Sequence, residues 1–405
     1  MKYIILIPDG MADWAMPVLG GRTPLMAANT PNLDELCRLS SCGRLVTIPD
    51  GMAPGSETAN LSILGYHPGE VGRGRGVLEA ASMGLKLLDT DLVLRCNLIC
   101  IDHNGKLKNH SAGHISTREA IEIIKMLNRE TGEGRSRIYP GVSYRHIFIL
   151  ENGSAQIQCT PPHDVPGKDF RDILIKPLST SGEKTTAYLN GLILESQRIL
   201  PGLRTNKDRI KKGKDPANSI WLWSPGQKPA MKPFYEKYNL TGAVISAVDL
   251  VKGIGIYAGF EVIPVSGATG LYDTDYEGKA DAAIRALETH DLVYLHIEAP
   301  DEAGHEGDPS LKIRTIEDID RKVTRRFVDL VKTRDDISIA ILPDHPTPCE
   351  IRTHTNEPVP FLIYHPFRTP DKVTVFNEQS VTEGKYGLLK GEEFILILIQ
   401  DPTEG

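Results

Sequence analysis

Five aspartate and histidine residues in the C-terminal third of the sequence have the types and spacing of metal ligands. Asp301 and His305 stand four residues apart in Pro-Asp-Glu-Ala-Gly-His, shortly after an apolar run. Asp344 and His345 follow a second apolar run, and His354 comes a little further on. Carboxylate oxygens mixed with imidazole nitrogens suit Mn²⁺, Zn²⁺ or a similar divalent ion, and this thiol-free set argues against a structural zinc. If the side chains converge, they predict a polynuclear metal site.

Two residues near the start of the chain are candidates for the same site. Asp9 in Ile-Pro-Asp-Gly ends the first apolar run, where α/β enzymes hold cations, although a turn or N-cap aspartate has the same local pattern. Ser56 in Pro-Gly-Ser-Glu leads into a helical pattern. It can be an N-cap, or a nucleophile at a helix N-terminus that favours a transferred phosphoryl group.

The elements that must position these residues are short buried strands. The apolar runs are bounded by polar or turn residues, which suits strands covered on both faces. Helical patterns with apolar residues at three- and four-residue intervals lie between them. This alternation predicts an α/β fold whose ligand site lies at the carboxyl ends of parallel strands. The predicted strands include 3–7, 291–297, 337–342 and 360–364, and the predicted helices include 280–287 and 310–331.

The middle of the chain predicts an inserted domain. Between residues 85 and 229 the sequence has Asp, Asn and Gly turns, isolated helical stretches such as 117–127, and a basic segment at 205–214. We therefore predict a core domain formed by 1–84 and 230–405, interrupted by a smaller α/β (α+β) domain at 85–229. The Gly-Arg-Gly-Arg-Gly run at 72–76 can bind an anion or serve as a hinge, and its position near the boundary favours the hinge.

Composition excludes several classes of function. The 405 residues are 40% hydrophobic and 24% charged with a net charge of −7, and the basic residues are dispersed, which argues against a nucleic-acid surface. No apolar run is long enough to span a bilayer, and the short N-terminal run lacks the features of a signal peptide. The six cysteines form no Cys-x-x-Cys pair, so reduced thiols are expected. We expect a cytoplasmic protein without a nucleic-acid or membrane partner.

Taken in order, the candidate residues resemble a known signature. Asp9 in Pro-Asp-Gly, Ser56 in Gly-Ser-Glu, Asp301 with His305, Asp344-His345 and His354 resemble the alkaline phosphatase superfamily. Within it, the sequence resembles the 2,3-bisphosphoglycerate-independent phosphoglycerate mutases of the archaeal type, which also occur in bacteria. The resemblance covers nearly the whole chain and is weakest over the insert. The stretches that carry the narrower match are 8–13, 30–34, 72–76, 246–255 and 298–301.

The resemblance implies an alkaline-phosphatase-like core, with a mostly parallel sheet covered by helices, that holds two divalent ions. It implies Mn²⁺ or Zn²⁺, with Mg²⁺ and Co²⁺ as further candidates, and no 2,3-bisphosphoglycerate. Two such ions can clamp the attacking and leaving oxygens of a phosphoryl transfer. Asp301, His305 and His354 would hold one ion; Asp9, Asp344 and His345 would hold the second, with Ser56 bound to it through its oxygen.

The implied activity is that of an isomerase of glycolysis. Ser56 would take the phosphoryl group from 3-phosphoglycerate, and the enclosed glycerate would accept it on its other hydroxyl to give 2-phosphoglycerate. Recognition of a small phosphorylated substrate calls for cationic side chains. The candidates are His110, Arg135, Arg145 and His163 in the insert and Lys252 in the core. A surface charge or a structural hydrogen bond explains each of them equally well, except for Lys252, which is flanked by apolar residues and glycine.

The metal-ligand pattern leaves other functions open. The same site could pass phosphate to homoserine, as proposed for some bacterial members of this group, although the sequence has no P-loop or kinase glycine loop. It could also hydrolyse phosphate monoesters, or the metal could stabilise a binding protein without catalysis. The pattern does not decide the oligomeric state.

Overall fold

The computed structural model describes residues 1–71, 74–131 and 134–400. Gly72 and Arg73 of the predicted hinge lie outside the described residues. In chain order the strands are β1 (Lys2–Pro8), β2 (Ser40–Val46), β3 (Leu92–Ile101), β4 (Leu107–Asn109), β5 (Ser136–Tyr139), β6 (Arg145–Leu150), β7 (Ile157–Gln158), β8 (Lys176–Pro177), β9 (Ser219–Gly226), β10 (Gly242–Ile245), β11 (Glu261–Val262), β12 (Leu292–Ile297), β13 (Ile337–Ile341), β14 (Val359–Tyr364) and β15 (Gly387–Lys390).

The α-helices alternate with these strands through much of the chain. In chain order they are α1 (Pro24–Ala27), α2 (Pro31–Arg38), α3 (Ser56–Ile63), α4 (Pro68–Val71), α5 (Arg75–Ser82), α6 (Thr117–Glu130), α7 (Glu183–Ile199), α8 (Arg204–Lys211), α9 (Phe234–Tyr238), α10 (Asp249–Tyr257), α11 (Tyr276–Ala286), α12 (Ala299–Glu306), α13 (Pro309–Ile319), α14 (Arg325–Val331) and α15 (Glu392–Ile399). A π-helical turn, Asp320–Thr324, joins α13 to α14, and 3₁₀ helices span Pro17–Leu19, Phe170–Ile173, Thr180–Gly182, Leu200–Gly202 and Ser380–Glu383.

The chain forms two compact units. Unit 1 comprises Met1–Val71 and Met231–Gly405, and unit 2 comprises Gly72–Ala230. The first division falls after residue 71, whereas the sequence placed it after 84. The reason is α5, which packs within unit 2: its Glu79 Oε2 lies 3.1 Å from Arg95 Nε on β3.

Unit 1 is built on a mostly parallel sheet, as the sequence predicted. The strand order is β11-β10-β12-β1-β13-β14-β2-β15. β1 pairs in parallel with β12 on one side and β13 on the other. β14 runs antiparallel to both of its neighbours, because the described connection 342–358 contains no crossover helix and a parallel return requires a longer crossover connection, usually helical. The fold prediction is therefore confirmed, with one reversed strand.

Helices cover both faces of this sheet. Side chains alternate along a strand, so Val293 and Leu295 of β12 face a hydrophobic core shared with Phe327 of α14. Tyr294 and His296 point to the opposite face, where the Tyr294 hydroxyl donates to Asn60 of α3. The polar side chains of β12 therefore lie on this second face. His296 lies near the carboxyl end of β1, beside Asp9.

Unit 2 is an α+β unit around an antiparallel sheet. The order is β4-β3-β6-β5, with β9 also paired to β3, and every residue of β3 is buried. Helix α6 begins with a capping box in which Ser116 and Glu119 exchange hydrogen bonds. Its buried Ile123 packs in the same core as Leu189 of α7. Across the described parts of both units, no helix combines the length and the apolar character that crossing a membrane would need.

Candidate metal centre

The carboxylates of the candidate centre come from loops and a helix that follow adjacent parallel strands. Asp9 comes directly after β1, Asp301 lies in the first turn of α12 just beyond β12, and Asp344 lies in the loop after β13. The carboxyl ends of parallel neighbours meet at one edge of the sheet, so three residues distant in sequence converge. All three are at most 4% exposed.

Asp301, His305 and His354 form the first group of candidate ligands. Asp301 and His305 lie one turn apart on α12, with Oδ2 and Nε2 separated by 3.2 Å. His354 Nε2 is 3.0 Å from His305 Nε2 and 3.5 Å from Asp301 Oδ1. One ligand atom from each of the three residues lies within 4.8 Å of the other two. This spacing is compatible with a single ion.

Asp9, Asp344, His345 and Ser56 form the second group. His345 Nε2 lies 3.7 Å from Asp9 Oδ1 and 3.5 Å from Asp344 Oδ2. Ser56 is the first residue of α3, and its Oγ is 3.2 Å from the same His345 nitrogen. The structure therefore brings together all seven residues that the resemblance implied as ligands.

The electrostatics of the cluster call for a cation. Burial raises the pKa of Asp9 well above its usual value, and the charges of Asp344 and Asp301 raise it further. Burial also opposes ionisation of Asp301, but hydrogen bonds from His305 and His354 hold its pKa well below the usual range. Asp9 Oδ1 has no hydrogen-bond partner among the described residues. Three buried carboxylates with an unpaired oxygen fit divalent ions of the Mn²⁺ or Zn²⁺ type.

Neighbouring groups orient the imidazoles of His305 and His345 so that their Nε2 atoms face the cluster. His305 Nδ1 donates to the Arg352 carbonyl at 3.0 Å. His345 Nδ1 lies 3.3 Å from Thr347 Oγ1, which itself donates to Asp301 Oδ1 at 2.5 Å. Such contacts at the far nitrogen select the tautomer that leaves Nε2 free to bind a metal. Thr347 thereby links the two groups of ligands.

Gly10 is required where β1 ends. Its φ of 61° lies in the left-handed region, and a Cβ built there would lie 2.5 Å from Asp301 Oδ1. Its backbone N–H donates to Asp344 Oδ1 at 3.2 Å. Only glycine allows the backbone to approach both carboxylates so closely.

A buried polar network connects Ser56 to the ligands. Asn60, one turn along α3, donates from Nδ2 to the Ser56 carbonyl at 2.8 Å and to Asp344 Oδ2 at 2.9 Å. Its Oδ1 accepts from the Tyr294 hydroxyl at 2.5 Å. The network sets the position of the helix start relative to the carboxylate.

A second buried pair joins two loops of the centre. Lys312 Nζ on α13 donates to Asp13 Oδ2 at 2.8 Å, to the Ala12 carbonyl at 3.1 Å and to the Thr347 carbonyl at 2.9 Å. Both charged side chains are fully buried. The lysine therefore ties the loop after β1 to the loop after β13.

Three of the four candidates in unit 2 lie near one another. The His110 and His163 rings are 6.1 Å apart between centroids, and the His110 ring packs edge-on against Tyr144 at 5.5 Å. The Arg145 guanidinium lies 5.8 Å from the Tyr144 ring. Burial lowers the pKa of His110, and the neighbouring His163 contributes to this shift.

The other two candidates lie elsewhere in their units. Arg135 stacks over Tyr188 at 4.6 Å and lines a separate basic cavity of about 650 Å³. Lys252 lies on α10 in unit 1, with its Nζ 3.2 Å from Asp249 Oδ1. Arg95, which was not among the sequence candidates, is mostly buried; its guanidinium lies 4.4 Å from the Trp223 ring and its Nε 3.1 Å from Glu79 Oε2.

Sequence reasoning also missed His296. It lies inside β12, is fully buried, and places Nε2 3.0 Å from Asp9 Oδ2. Burial lowers its pKa to about 4, so the ring is neutral. A histidine within an otherwise apolar strand was a signal that could have revealed it, because an unpaired polar group is costly to bury.

Comparison with known proteins agrees with this geometry. A centre of carboxylates and imidazoles at the strand ends of an α/β sheet is typical of a metal-dependent enzyme. Residues 1–400 match the family model described as the metalloenzyme superfamily, so the chain belongs to this class. A curated 2,3-bisphosphoglycerate-independent phosphoglycerate mutase from Methanosarcina barkeri is 48% identical over 403 residues, covering 99% of this chain and 100% of the relative. A probable mutase of this type from Geobacter sulfurreducens is 47% identical, covering 90% of each chain.

Solved structures show the same relationship. A Pyrococcus horikoshii protein superposes with a TM-score of 0.83 at 30% identity, covering 98% of this chain and 96% of that one. A cofactor-independent phosphoglycerate mutase from Thermoplasma acidophilum superposes with a TM-score of 0.72 at 28% identity, covering 99% of each chain. The chain belongs to the 2,3-bisphosphoglycerate-independent phosphoglycerate mutase family, and the resemblance drawn from the sequence is confirmed.

Proposed function

We propose that this protein interconverts 3-phosphoglycerate and 2-phosphoglycerate through a phosphoserine formed on Ser56. The observation that carries the proposal is the position of Ser56 Oγ, 3.2 Å from His345 Nε2 in the second ligand group. The curated relatives over the full length of the chain are named as mutases of this kind.

The ligand groups would hold two divalent ions, which we take to be Mn²⁺ or Zn²⁺, with Mg²⁺ or Co²⁺ as alternatives. When bound, such ions lower the pKa of a hydroxyl group and neutralise phosphoryl charge. Asp301, His305 and His354 would hold one ion; Asp9, Ser56, Asp344 and His345 would hold the other.

The chemistry takes two steps of phosphoryl transfer. In the first, a bond forms between Ser56 Oγ and phosphorus while the bond from phosphorus to the glycerate oxygen breaks, and the serine proton ends on the glycerate hydroxyl. In the second, the other glycerate hydroxyl attacks the phosphoserine, and its proton returns to the serine. Ser56 opens α3, where backbone N–H groups without an intrahelical partner favour the anionic group.

Unit 2 would supply recognition of the glycerate. We assign this role to His110, Arg145 and His163, with Arg135 in the same unit and Lys252 in unit 1. A substrate that carries a carboxylate and a phosphate needs cationic partners, and the proximity of the first three residues supports their assignment. The reaction also requires that water be excluded from the site, because hydrolysis of the phosphoserine would turn the mutase into a phosphatase.

We also place the protein in the cytoplasm. All six cysteines, which lie within the described residues, are free thiols. Unpaired thiols are typical of a reducing compartment.

The decisive assay supplies 3-phosphoglycerate and Mn²⁺ and detects 2-phosphoglycerate with enolase. The wild type should turn over, and Ser56→Ala should abolish turnover. Ser62→Ala is the matched control, because Ser62 lies on the same helix, is buried, and has an Oγ without a hydrogen-bond partner among the described residues; it should retain activity. A phosphoryl group on the peptide that contains Ser56 should appear in mass spectra of quenched wild type.

Three outcomes would overturn the proposal. Absence of 2-phosphoglycerate in the presence of Mn²⁺ would exclude the mutase reaction. Release of free phosphate from many substrates, or transfer of phosphate to homoserine, would show that a different acceptor is used. Full turnover by Ser56→Ala would remove Ser56 from the mechanism.

A further inference from the structure

The buried imidazole of His296 has one ring nitrogen, Nε2, that lacks a hydrogen bond within the described part of the chain. The residue is fully buried within β12, and its Nε2 has no hydrogen-bond partner among the described residues. Asp9 Oδ2 is only 3.0 Å from this nitrogen, but the two groups are not aligned as a hydrogen bond. Buried polar atoms in native proteins are nearly always satisfied, so this nitrogen calls for an explanation.

The surroundings of this nitrogen have the geometry of a metal site. Asp9, His296 and Asp344 each offer one ligand atom, and these atoms lie within 4.8 Å of one another. Bonds of about 2.0–2.2 Å from a metal to nitrogen or oxygen place neighbouring ligand atoms roughly 3–3.5 Å apart. The 3.0 Å separation between His296 Nε2 and Asp9 Oδ2 fits two ligands of one ion.

The far side of the ring supports the required tautomer. His296 Nδ1 lies 3.4 Å from Ser246 Oγ, whose oxygen also accepts from the Val248 N–H at 3.0 Å. An Nδ1–H that points to this hydroxyl leaves the Nε2 lone pair directed at the carboxylates. Ligating histidines are commonly oriented in this way by a contact at the other nitrogen.

We propose that His296 Nε2 is a further ligand of the ion held by Asp9 and Asp344, outside the seven residues that the family resemblance implies. The inference rests on the metal centre of the proposed function. An added imidazole makes the ligand set richer in nitrogen, which favours Mn²⁺, Co²⁺ or Zn²⁺ over Mg²⁺ because Mg²⁺ prefers oxygen ligands.

The test compares two replacements of His296 with a matched control. His296→Asn keeps a polar group at the position of Nδ1, facing Ser246, and removes the ligand atom. His296→Gln places an amide oxygen near the position of Nε2, so that an oxygen ligand replaces a nitrogen ligand. The control is His146→Asn, because His146 is also buried, has an Nε2 without a hydrogen-bond partner among the described residues, and accepts from the Gly141 N–H through Nδ1.

Mn²⁺ binding to metal-free full-length protein is measured by calorimetry, with the ion count from elemental analysis. Pulsed electron paramagnetic resonance then counts the nitrogen couplings to Mn²⁺. We expect two ions in the wild type and in His146→Asn. His296→Asn should bind one ion at least about tenfold more weakly and lose one nitrogen coupling, while His296→Gln should recover part of the affinity. If His296→Asn does not fold, His296→Gln alone should still lose the coupling.

Two results would overturn the inference. One is wild-type affinity for both ions in His296→Asn. The other is weakened binding with every nitrogen coupling retained, which would mean that His296 only orients Asp9. These readouts need no phosphoglycerate, so they test metal binding independently of the mutase reaction. If the wild type binds two ions but does not convert 3-phosphoglycerate, the proposed function fails and this inference still stands.

Discussion

Replacing Asn60 by leucine should remove a set of buried hydrogen bonds that meet at the metal centre. The Asn60 amide donates to the Ser56 carbonyl and to Asp344 Oδ2, and it accepts from the Tyr294 hydroxyl. Asn60 and Tyr294 are at most 1% exposed, so water cannot replace the lost partners without a rearrangement of the core.

The magnitude follows from what each change leaves unpaired. Tyr294→Phe leaves Asn60 Oδ1 without its donor, which should cost about 1–3 kcal/mol of unfolding free energy. Asn60→Leu removes a donor to a charged carboxylate, about 1.5–3 kcal/mol, and leaves the Tyr294 hydroxyl unpaired for about 1–3 kcal/mol more. In the double variant neither Asn60 Oδ1 nor the tyrosine hydroxyl remains. Only the lost donor to the carboxylate then remains, so the cost of the double variant should be smaller than the sum of the single costs by about 2–6 kcal/mol.

The assay is a double-mutant cycle on metal-free protein. Urea unfolding gives the free energies, and hydrogen exchange at the backbone amides of α3 and β12 reports on unit 1 by itself. Tyr276→Phe is the control, because the hydroxyl of this buried tyrosine makes a long hydrogen bond, 3.3 Å, to the Tyr272 carbonyl. We expect a loss below about 1 kcal/mol. Additive single costs, with a coupling below about 0.5 kcal/mol, would refute the network.

Further predictions concern the surrounding loops and the acidity of the ligands. Lys312→Met leaves the buried Asp13 carboxylate without its cation and should lower the free energy of unfolding in denaturant by about 3–5 kcal/mol. The control, Arg325→Met, removes an exposed ion pair and should lower it by at most about 0.5 kcal/mol. Equal losses in the two variants would contradict this prediction. Gly10→Ala should abolish Mn²⁺ binding in calorimetry, because its Cβ would meet a ligand oxygen. Gly20→Ala has a similar φ of 67° but nothing within 4 Å of the Cβ, and should bind normally. In metal-free protein the hydrogen bond to a carboxylate raises the pKa of His305 to about 9. Its proton must leave before an ion binds, so Mn²⁺ affinity should fall as the pH drops below 9. Calorimetry in buffers of different ionisation enthalpy should detect the released proton. An Mn²⁺ affinity that does not change between pH 6.5 and 9 would refute this prediction.

The sequence, with the resemblance that it carries, named in advance the seven residues that the structure brings together as candidate ligands. Divalent ions accept few side-chain types, and a buried parallel strand appears in the sequence as a continuous apolar run. Residues such as Asp9 and Asp344 could therefore be recognised at the ends of such runs. The resemblance then added Ser56, whose local pattern by itself also fits an N-cap.

The tertiary structure decided what surrounds these ligands. The inward position of His296 depends on which face of β12 meets α3, and the Asn60–Tyr294 bond joins residues far apart in the chain. The start of the insert after residue 71, and not after 84, reflects the packing of α5 within unit 2, where Glu79 pairs with Arg95. Ligand identity is a matter of residue chemistry and can be read locally. The contacts that orient the ligands depend on strand register and helix packing, which exist only once distant segments have come together.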